Sequence, residues 1–502
     1  MNKLASLNQF IISLVILAFV FVVAMVLMMY ATPYGSGLGF DSVAYISAAR
    51  NLITGIGLGR VTCTGFKPMT LWPPLYPILL AILSLTGMDP IKSSHIISIL
   101  GYSLTMVLAG LFVYKVSKKP VFILLISLLF ALAPSTIKAF SWAMSESLYM
   151  PISLLSLYLL YGYTEKGERI YLFTSALFIG LAMVTRYIAA SLLPVWVIIL
   201  ALNKTSSVRE KIKDTLCGLV IALLPVLFWF LRNTIIVSSG TGRKFGFNIP
   251  ALVDFDFFIK QVVSWMFPVE HLGYRVRLMI AAILFVLLIT MAILIFFSQK
   301  KEDSPEKQSA FIFLLYSLFY LAIVVATVVF WVPSVSLVDE RIPVPLQVNL
   351  LILLILMGSY AWKRQSRILL VLFTLAYLYL LVYYVPQQVN VISTLHSDGQ
   401  GYASEKWQSS PAINDLEAIR SVIYTNDFQA LYFISGKDGC ILPANENDLL
   451  LMRGTISNNK GYVVIFGSHL PEFLPLDEIT QGMTLMKEYP EIRIFQQLDA
   501  QN

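Results

Sequence analysis

Along most of this chain the apolar residues neither alternate with polar ones nor recur on one helical face; they run on without interruption. The stretch from Phe10 to Tyr30 carries no charged residue over 21 positions. At about 1.5 Å per residue that crosses ~30 Å of hydrocarbon. Similar runs lie near 93–114, 120–137, 143–161, 170–185, 187–203, 212–232, 278–298, 309–331, 345–361 and 368–385, each ended by charge, proline or a polar cluster. Together they predict about eleven membrane-spanning helices. The first run follows Lys3 and ends without a small-residue cleavage site, so it is expected to be retained as a span. From about 386 the continuous apolar character is lost. Short elements replace it: a strand at Ser421–Thr425, a helix near Phe428–Ser435, a strand near Gly461–Phe466, a helix near Asp477–Lys487 and a last element at Ile492–Gln496. The fold class is therefore an all-α polytopic membrane module over 1–385 followed by a small α/β domain over 386–502.

Composition sharpens this. The 502 residues are 57% hydrophobic and 13% charged, against roughly 45–50% and 25% in soluble domains, which excludes a simple soluble enzyme. The net charge of +7 does not indicate nucleic acid as a partner, because Lys and Arg sit mostly in short connections between apolar runs. With the amino terminus in the cytoplasm, Lys115 to Lys119, Lys166 and Arg169, Lys204 to Lys213, Lys300 to Lys307 and Lys363 to Arg367 fall in inner loops, as the positive-inside rule requires. The same orientation in the plasma membrane puts four larger segments outside: 31–92, 233–277, 332–344 and the tail. Three cysteines and four histidines show no CxxC, HxxxH or HExxH spacing, so no metal site is expected. Cys63 and Cys440 both fall outside; whether they pair is open at this stage.

Candidate chemistry lies in the outer segments. Val43, Ile46, Ala49, Leu52 and Ile53 recur at helical spacing and predict a short amphipathic helix on the membrane surface. Asp41 stands in its first turn with Tyr45 one turn on. Asp41 is either a reactive carboxylate or a helix cap, although Ala44 closes no capping box with it. Trp72-Pro73-Pro74-Leu75-Tyr76-Pro77 then precedes an apolar stretch too short to span, predicting an interfacial or re-entrant elbow. Lys67, upstream, reads as a headgroup contact or an interface lysine. Glu146, at the outer start of the fourth span, should face a protein cavity rather than lipid, or else simply sit at a favourable helix amino terminus. Arg186, Arg232, Arg243 and Arg341 lie at outer ends against the charge bias. Each reads as an anchor or ion-pair partner, Arg341 with Asp339 and Glu340 at hand; converging on one cavity, they would suit a phosphate. The glycines at 55, 57 and 59, Gly240-Thr-Gly-Arg-Lys, and Asp254-Phe255-Asp256 lack the nucleotide-binding contexts that would give them meaning.

The order of these features resembles the GT-C superfamily of integral-membrane glycosyltransferases, in particular families related to the protein O-mannosyltransferases, the 4-amino-arabinose lipid A transferases and the rhizobial lipopolysaccharide galacturonosyltransferases. The resemblance rests on Phe40-Asp41 through Asn51-Leu52, Trp72–Pro77, Ser145-Glu146, Thr185-Arg186-Tyr187, Leu231-Arg232-Asn233 before Gly240–Arg243, and Glu340-Arg341-Ile-Pro343. In the tail, Gly401-Tyr402, Trp407, Tyr424–Asp427 and Leu431-Tyr432-Phe433 resemble the outer domain of one branch. The resemblance implies that Asp41 is the base activating the acceptor hydroxyl and that Glu146 is a second acidic position. The family's first-loop acidic pair is Asp41-Ser42 here, and the turn at Arg186 often carries Lys in relatives.

A lipid-linked donor also follows from chemistry: nucleotide sugars are made in the cytoplasm, and every candidate site lies opposite. A polyprenyl-phosphate sugar already carries a good leaving group, so positive charge suffices there, from Arg186, Arg243, Arg341, Lys67 or Arg232. The acceptor hydroxyl of a glycan, lipid or protein must lose a proton to a carboxylate, and Asp41 with no paired nucleophile implies inversion. Tyr45, Trp72, Pro73, Pro74 and Tyr76 are expected to line the lipid or sugar groove. No cofactor beyond the lipid-linked donor is expected. The alternatives are a transporter or lipid-linked-glycan flippase, which expects charges or broken helices near the midplane and inverted repeats, and a non-catalytic receptor or scaffold built on the tail, which predicts that Asp41 is dispensable.

Overall fold

A computed structural model describes residues 3–63, 65–203, 206–249, 251–298, 304–332, 337, 339–459, 461–467 and 472–497. Lys204, Lys300, Lys301 and, in the 332–344 loop, positions 333–336 and 338 lie outside the described residues. The chain forms two compact units. One comprises Met1–Ala31, Thr70–Tyr76 and His95–Thr394; the other comprises Thr32–Met69, Pro77–Ser94 and Leu395–Asn502.

The first unit is helical. Every predicted run falls on a helix, but only seven described helices are long and apolar enough to span, or up to eight with one bent pair. The remaining predicted spans are the helix Glu146–Lys166 and the shorter helices Arg169–Met183 and Tyr187–Leu202. Val344–Arg364 is 78% buried along its apolar stretch, whereas Tyr274–Ile295 is 6% buried. Burial explains composition: the buried helix carries Gln347 and Asn349, which a lipid-facing helix would expose at cost. Asn349 reaches Ser317 at 3.4 Å and Gln347 reaches Tyr384 at 3.4 Å.

Prolines shape two spans differently from expectation. The run 120–137 is broken into Val121–Leu132 and Pro134–Phe140, bent by 71°. Pro134 disfavours helical backbone at Ala133, which is extended (φ −72°, ψ 111°). The Thr136 hydroxyl donates to the Phe130 and Ala133 carbonyls (2.9 and 2.7 Å) released at the break. Pro386, by contrast, does not end the last span: one helix runs from Arg367 through Pro386 to Asp398.

The second unit holds a five-stranded mixed sheet in the spatial order Cys440–Ile441, Ile423–Thr425, Tyr462–Phe466, Ile492–Gln497, Met483–Tyr489. The first three are parallel, and the last two join antiparallel. Helix Phe428–Ser435 covers one face, with Leu431, Ile423, Val464 and Ile494 in its core; helix Glu446–Asn459 covers the other, packing Met452 and Ile456 on Val463 and Ile465. The expected helix near Asp477–Lys487 is instead a short turn of helix, Leu476–Ile479, and the strand Met483–Tyr489. That strand pairs with Ile492–Gln497 through a bulge at Leu485/Lys487, and this pairing overrides the local charged pattern. The same unit takes in helix Phe40–Ile53 and the hairpin Gly59–Thr62/Gly65–Pro68.

Candidate active site

In the helical unit three segments meet around Glu146. Glu146 is the first residue of its helix and is buried. Arg186 occupies the extended residue (φ −149°) between helix Arg169–Met183 and the 3₁₀ turn Tyr187–Ser191, a break that aims its side chain away from either helix. Its guanidinium lies 2.6 Å from the Glu146 carboxylate and donates to the Ser145 hydroxyl at 3.3 Å. Arg341, in the turn leading to Val344–Arg364, approaches the same carboxylate at 3.9 Å. Its Nε donates to Asp339 at 2.8 Å. Burial alone would raise the Asp339 carboxyl, but the hydrogen bonds and charge of Arg341, with Arg186 behind, hold it below the usual value. Glu340 instead pairs with Lys138 at 3.0 Å.

Buried tyrosines support this cluster. Tyr320 donates to the Ile342 carbonyl at 2.6 Å, fixing the Arg341 turn, and Tyr149 and Tyr316 share a hydrogen bond of 2.6 Å. The pairing of Arg341 with its neighbour Asp339 is the one the sequence offered; these tyrosines escaped sequence reasoning, and Tyr316 and Tyr320, one helical turn apart in an apolar run, were the visible sign.

Two further predicted segments reach the Arg186 turn. The Leu75 N–H donates to the Val184 carbonyl at 2.9 Å, so the elbow Trp72-Pro73-Pro74 is pinned there, with Tyr76 buried. Asn233 donates to the Gly240 carbonyl at 2.8 Å and to Thr70 at 3.5 Å, folding the 240–243 loop onto the elbow. Gly242, at φ +66°, has no room for a Cβ, which would lie 2.8 Å from Thr70 Oγ1. Arg243 lies within electrostatic reach of the Tyr187 hydroxyl, which accepts from Trp229 Nε1 at 2.8 Å. Arg232 turns to its neighbours, stacking over Trp229 at 4.8 Å and donating to Asn233 at 2.9 Å. Four charges, two of each sign, thus meet around Glu146. Asp256, of the set-aside acidic motif, is held by Arg277 at 2.6 Å as a structural ion pair.

The second unit holds Asp41, Tyr45 and Lys67. The predicted helix is observed as Phe40–Ile53, but its cap is Gly39. Ser42, fully buried, accepts the Gly39 N–H at 3.1 Å. The cap reading of Asp41 is therefore corrected: Asp41 is the second helical residue, half-buried, and Ser42 closes the amino terminus in its place. Tyr45 is buried one turn below. Lys67 is exposed on the hairpin, opposite Arg60.

The tail carries this helix. Leu38 bridges to Gly401, and the Tyr402 N–H donates to the Leu38 carbonyl at 3.0 Å. Phe40 packs edge-on against Phe428 at 6.5 Å. Arg50 stacks over Tyr432 at 5.2 Å while pairing with Asp89 at 2.9 Å. Arg60 sits 4.1 Å over Phe428 and pairs with Asp438 at 3.2 Å. Asp427 caps helix Phe428–Ser435 by accepting the Ala430 N–H at 2.9 Å and also accepts from the Tyr402 hydroxyl at 2.5 Å.

Among the described residues no three His, Cys, Asp or Glu cluster as metal ligands do. No protein-family model matches the chain, and no curated protein does. Solved structures do. The chain is similar to ArnT, a 4-amino-arabinose lipid A transferase, from Cupriavidus metallidurans bound to undecaprenyl phosphate, with a TM-score of 0.54 and 13% identity over 96% of this chain and 98% of that one. It is also similar to the arabinofuranosyltransferase AftD from mycobacteria, with a TM-score of 0.52 and 13% identity over 96% of this chain and 41% of that one. The chain is a multi-pass membrane protein with the GT-C fold of integral-membrane glycosyltransferases.

Proposed function

We propose that the protein is an inverting glycosyltransferase that moves a sugar from a polyprenyl-phosphate donor to an acceptor hydroxyl on the extracytoplasmic side of the membrane. The observation that carries this reading is the buried pairing of Arg186 and Arg341 on Glu146 within the GT-C fold. Two guanidiniums fixed at helix ends match the phosphate of a lipid-linked sugar, and the similar ArnT structure binds undecaprenyl phosphate. Glu146 acts in this scheme as the anchor that aims both arginines. Arg243 adds a third positive charge.

The reaction needs one proton removed and one leaving group stabilised. The acceptor oxygen attacks the anomeric carbon while Asp41 takes its proton. The bond from that carbon to the phosphate oxygen breaks, its electron pair stays on the phosphate, and the arginines stabilise the charge gained. A single displacement inverts the anomeric centre. Asp41, half-buried in the first turn of helix Phe40–Ile53, is the carboxylate assigned the base role.

The decisive experiment offers purified wild type and Asp41→Asn a panel of polyprenyl-phosphate sugars and follows transfer, with thermal stability as the folding check. Turnover by wild type and none by a folded Asp41→Asn supports the reading. A folded variant with full activity removes Asp41 from the mechanism. No turnover, with lipid moved between leaflets of liposomes, replaces the enzyme by a transporter.

A further inference from the structure

The hairpin of the first outer loop and the edge of the tail sheet come together at two cysteines. Cys63 follows strand Gly59–Thr62 and is exposed; Cys440 opens the edge strand Cys440–Ile441 and is buried. Three fixed contacts set their approach. Arg60, three residues before Cys63, pairs with Asp438, two before Cys440, at 3.2 Å, and it stacks on Phe428 at 4.1 Å. Tyr424, the register partner of Cys440, neighbours both sulfurs. We propose that Cys63 and Cys440 form a disulfide that ties the first outer loop to the tail domain. Burial, with the Cys63 sulfur beside it, pushes the Cys440 thiol up to about 12. Cys440 thus stays protonated at neutral pH, and the exposed Cys63 makes the first attack.

The bridge forms by exchange with a protein disulfide donor of an oxidising compartment. The Cys63 thiolate attacks one donor sulfur, giving a mixed disulfide and releasing one donor thiolate. The Cys440 sulfur, losing its proton, then attacks the Cys63 sulfur and releases the second. Two protein thiols are oxidised and one donor disulfide is reduced to two thiols. The link would fasten the hairpin that follows helix Phe40–Ile53, and so the mount of Asp41, to the tail sheet.

This inference rests on the outward placement in the proposed function, and the test separates the two. In a Cys217→Ser, Cys440→Ser variant, a membrane-impermeant maleimide should label Cys63 on intact cells. Wild-type protein from the same membranes, denatured without reductant, should show one maleimide-reactive thiol, Cys217, rising to three after reduction. Peptide mapping should find the Cys63 and Cys440 peptides joined. Cys63 labelled on intact cells but three free thiols in wild type overturns the bridge alone. Cys63 labelled only after permeabilisation overturns the outward placement and the bridge with it.

Discussion

Asp41 and Ser42 are neighbours in one helical turn, yet their substitutions should separate chemistry from folding. Ser42→Ala removes the acceptor of the Gly39 N–H and should cost about 1 kcal/mol of stability by thermal or denaturant unfolding. Asp41→Asn should leave that midpoint in place and lower transfer by about 10²–10⁴-fold, the usual worth of a general base. Loss of stability with Asp41→Asn would return Asp41 to a structural role. Glu146 poses a different question, because its carboxylate is occupied by Arg186 at 2.6 Å. As an anchor it should show itself in binding: Glu146→Gln raises KM for the donor more than it lowers kcat, and Arg186→Lys, which keeps charge but loses the fork, does the same by on the order of tenfold. A collapse of kcat at constant KM in Glu146→Gln would instead place Glu146 in the proton transfer.

At the scale of elements, helix Phe40–Ile53 meets the tail through Phe40 on Phe428 and Arg50 on Tyr432, and the hairpin after it through Arg60 and Asp438, 378 positions apart; these contacts are not equal partners. Burial raises the Asp438 carboxyl above its ordinary 3.8 despite Arg60, so its ionised form is the strained one. The sign follows: stability from this group is greatest below pH 3.8 and declines as pH rises through the raised value. Asp438→Asn should therefore leave the thermal midpoint at pH 7 nearly unchanged and flatten its pH dependence just above 3.8. Arg60→Met keeps the stem on Phe428 but strands the buried carboxylate, which should cost about 1–3 kcal/mol at pH 7 and be recovered on acidification. Unfolding curves of the two variants across pH decide it. These contacts also mark where sequence reading ended. The spans, the amphipathic helix, the elbow and most tail strands follow from local pattern. Pairing of residues hundreds of positions apart does not, nor does the strand Met483–Tyr489, whose partner decides its state. Pro134 and Pro386 look alike as breakers, yet one bends the chain by 71° and the other sits inside a continuous helix. In the site, the outer arginines were legible as charges against the topological bias, and Asp339 as a neighbour able to hold Arg341; that Glu146 gathers two of the arginines required the fold.

For the molecule as a whole, the position of buried charge bears on the proposed reaction. Among the described residues the buried carboxylates are Glu146, Asp214 and Glu306, and each lies within the first two turns of its helix. Asp214 pairs with Arg169 at 3.0 Å and Glu306 with Lys363 at 2.8 Å, while Glu146 gathers both Arg186 and Arg341. The charge balance of that cluster has a further consequence under the proposed reaction. Arg186 and Arg341 are offset by Glu146 and Asp339, so the donor phosphodiester, with one negative charge, is held modestly. The product is a phosphate monoester whose second proton leaves near about pH 6, giving it a second charge for the same arginines. Polyprenyl phosphate should therefore inhibit transfer competitively against the donor, and its inhibition constant should fall as pH rises from about 5 to about 7. Inhibition that does not change with pH in wild type would mean that the arginines meet the lipid phosphate only as a monoanion, and leaving-group stabilisation would have to come from elsewhere in the site.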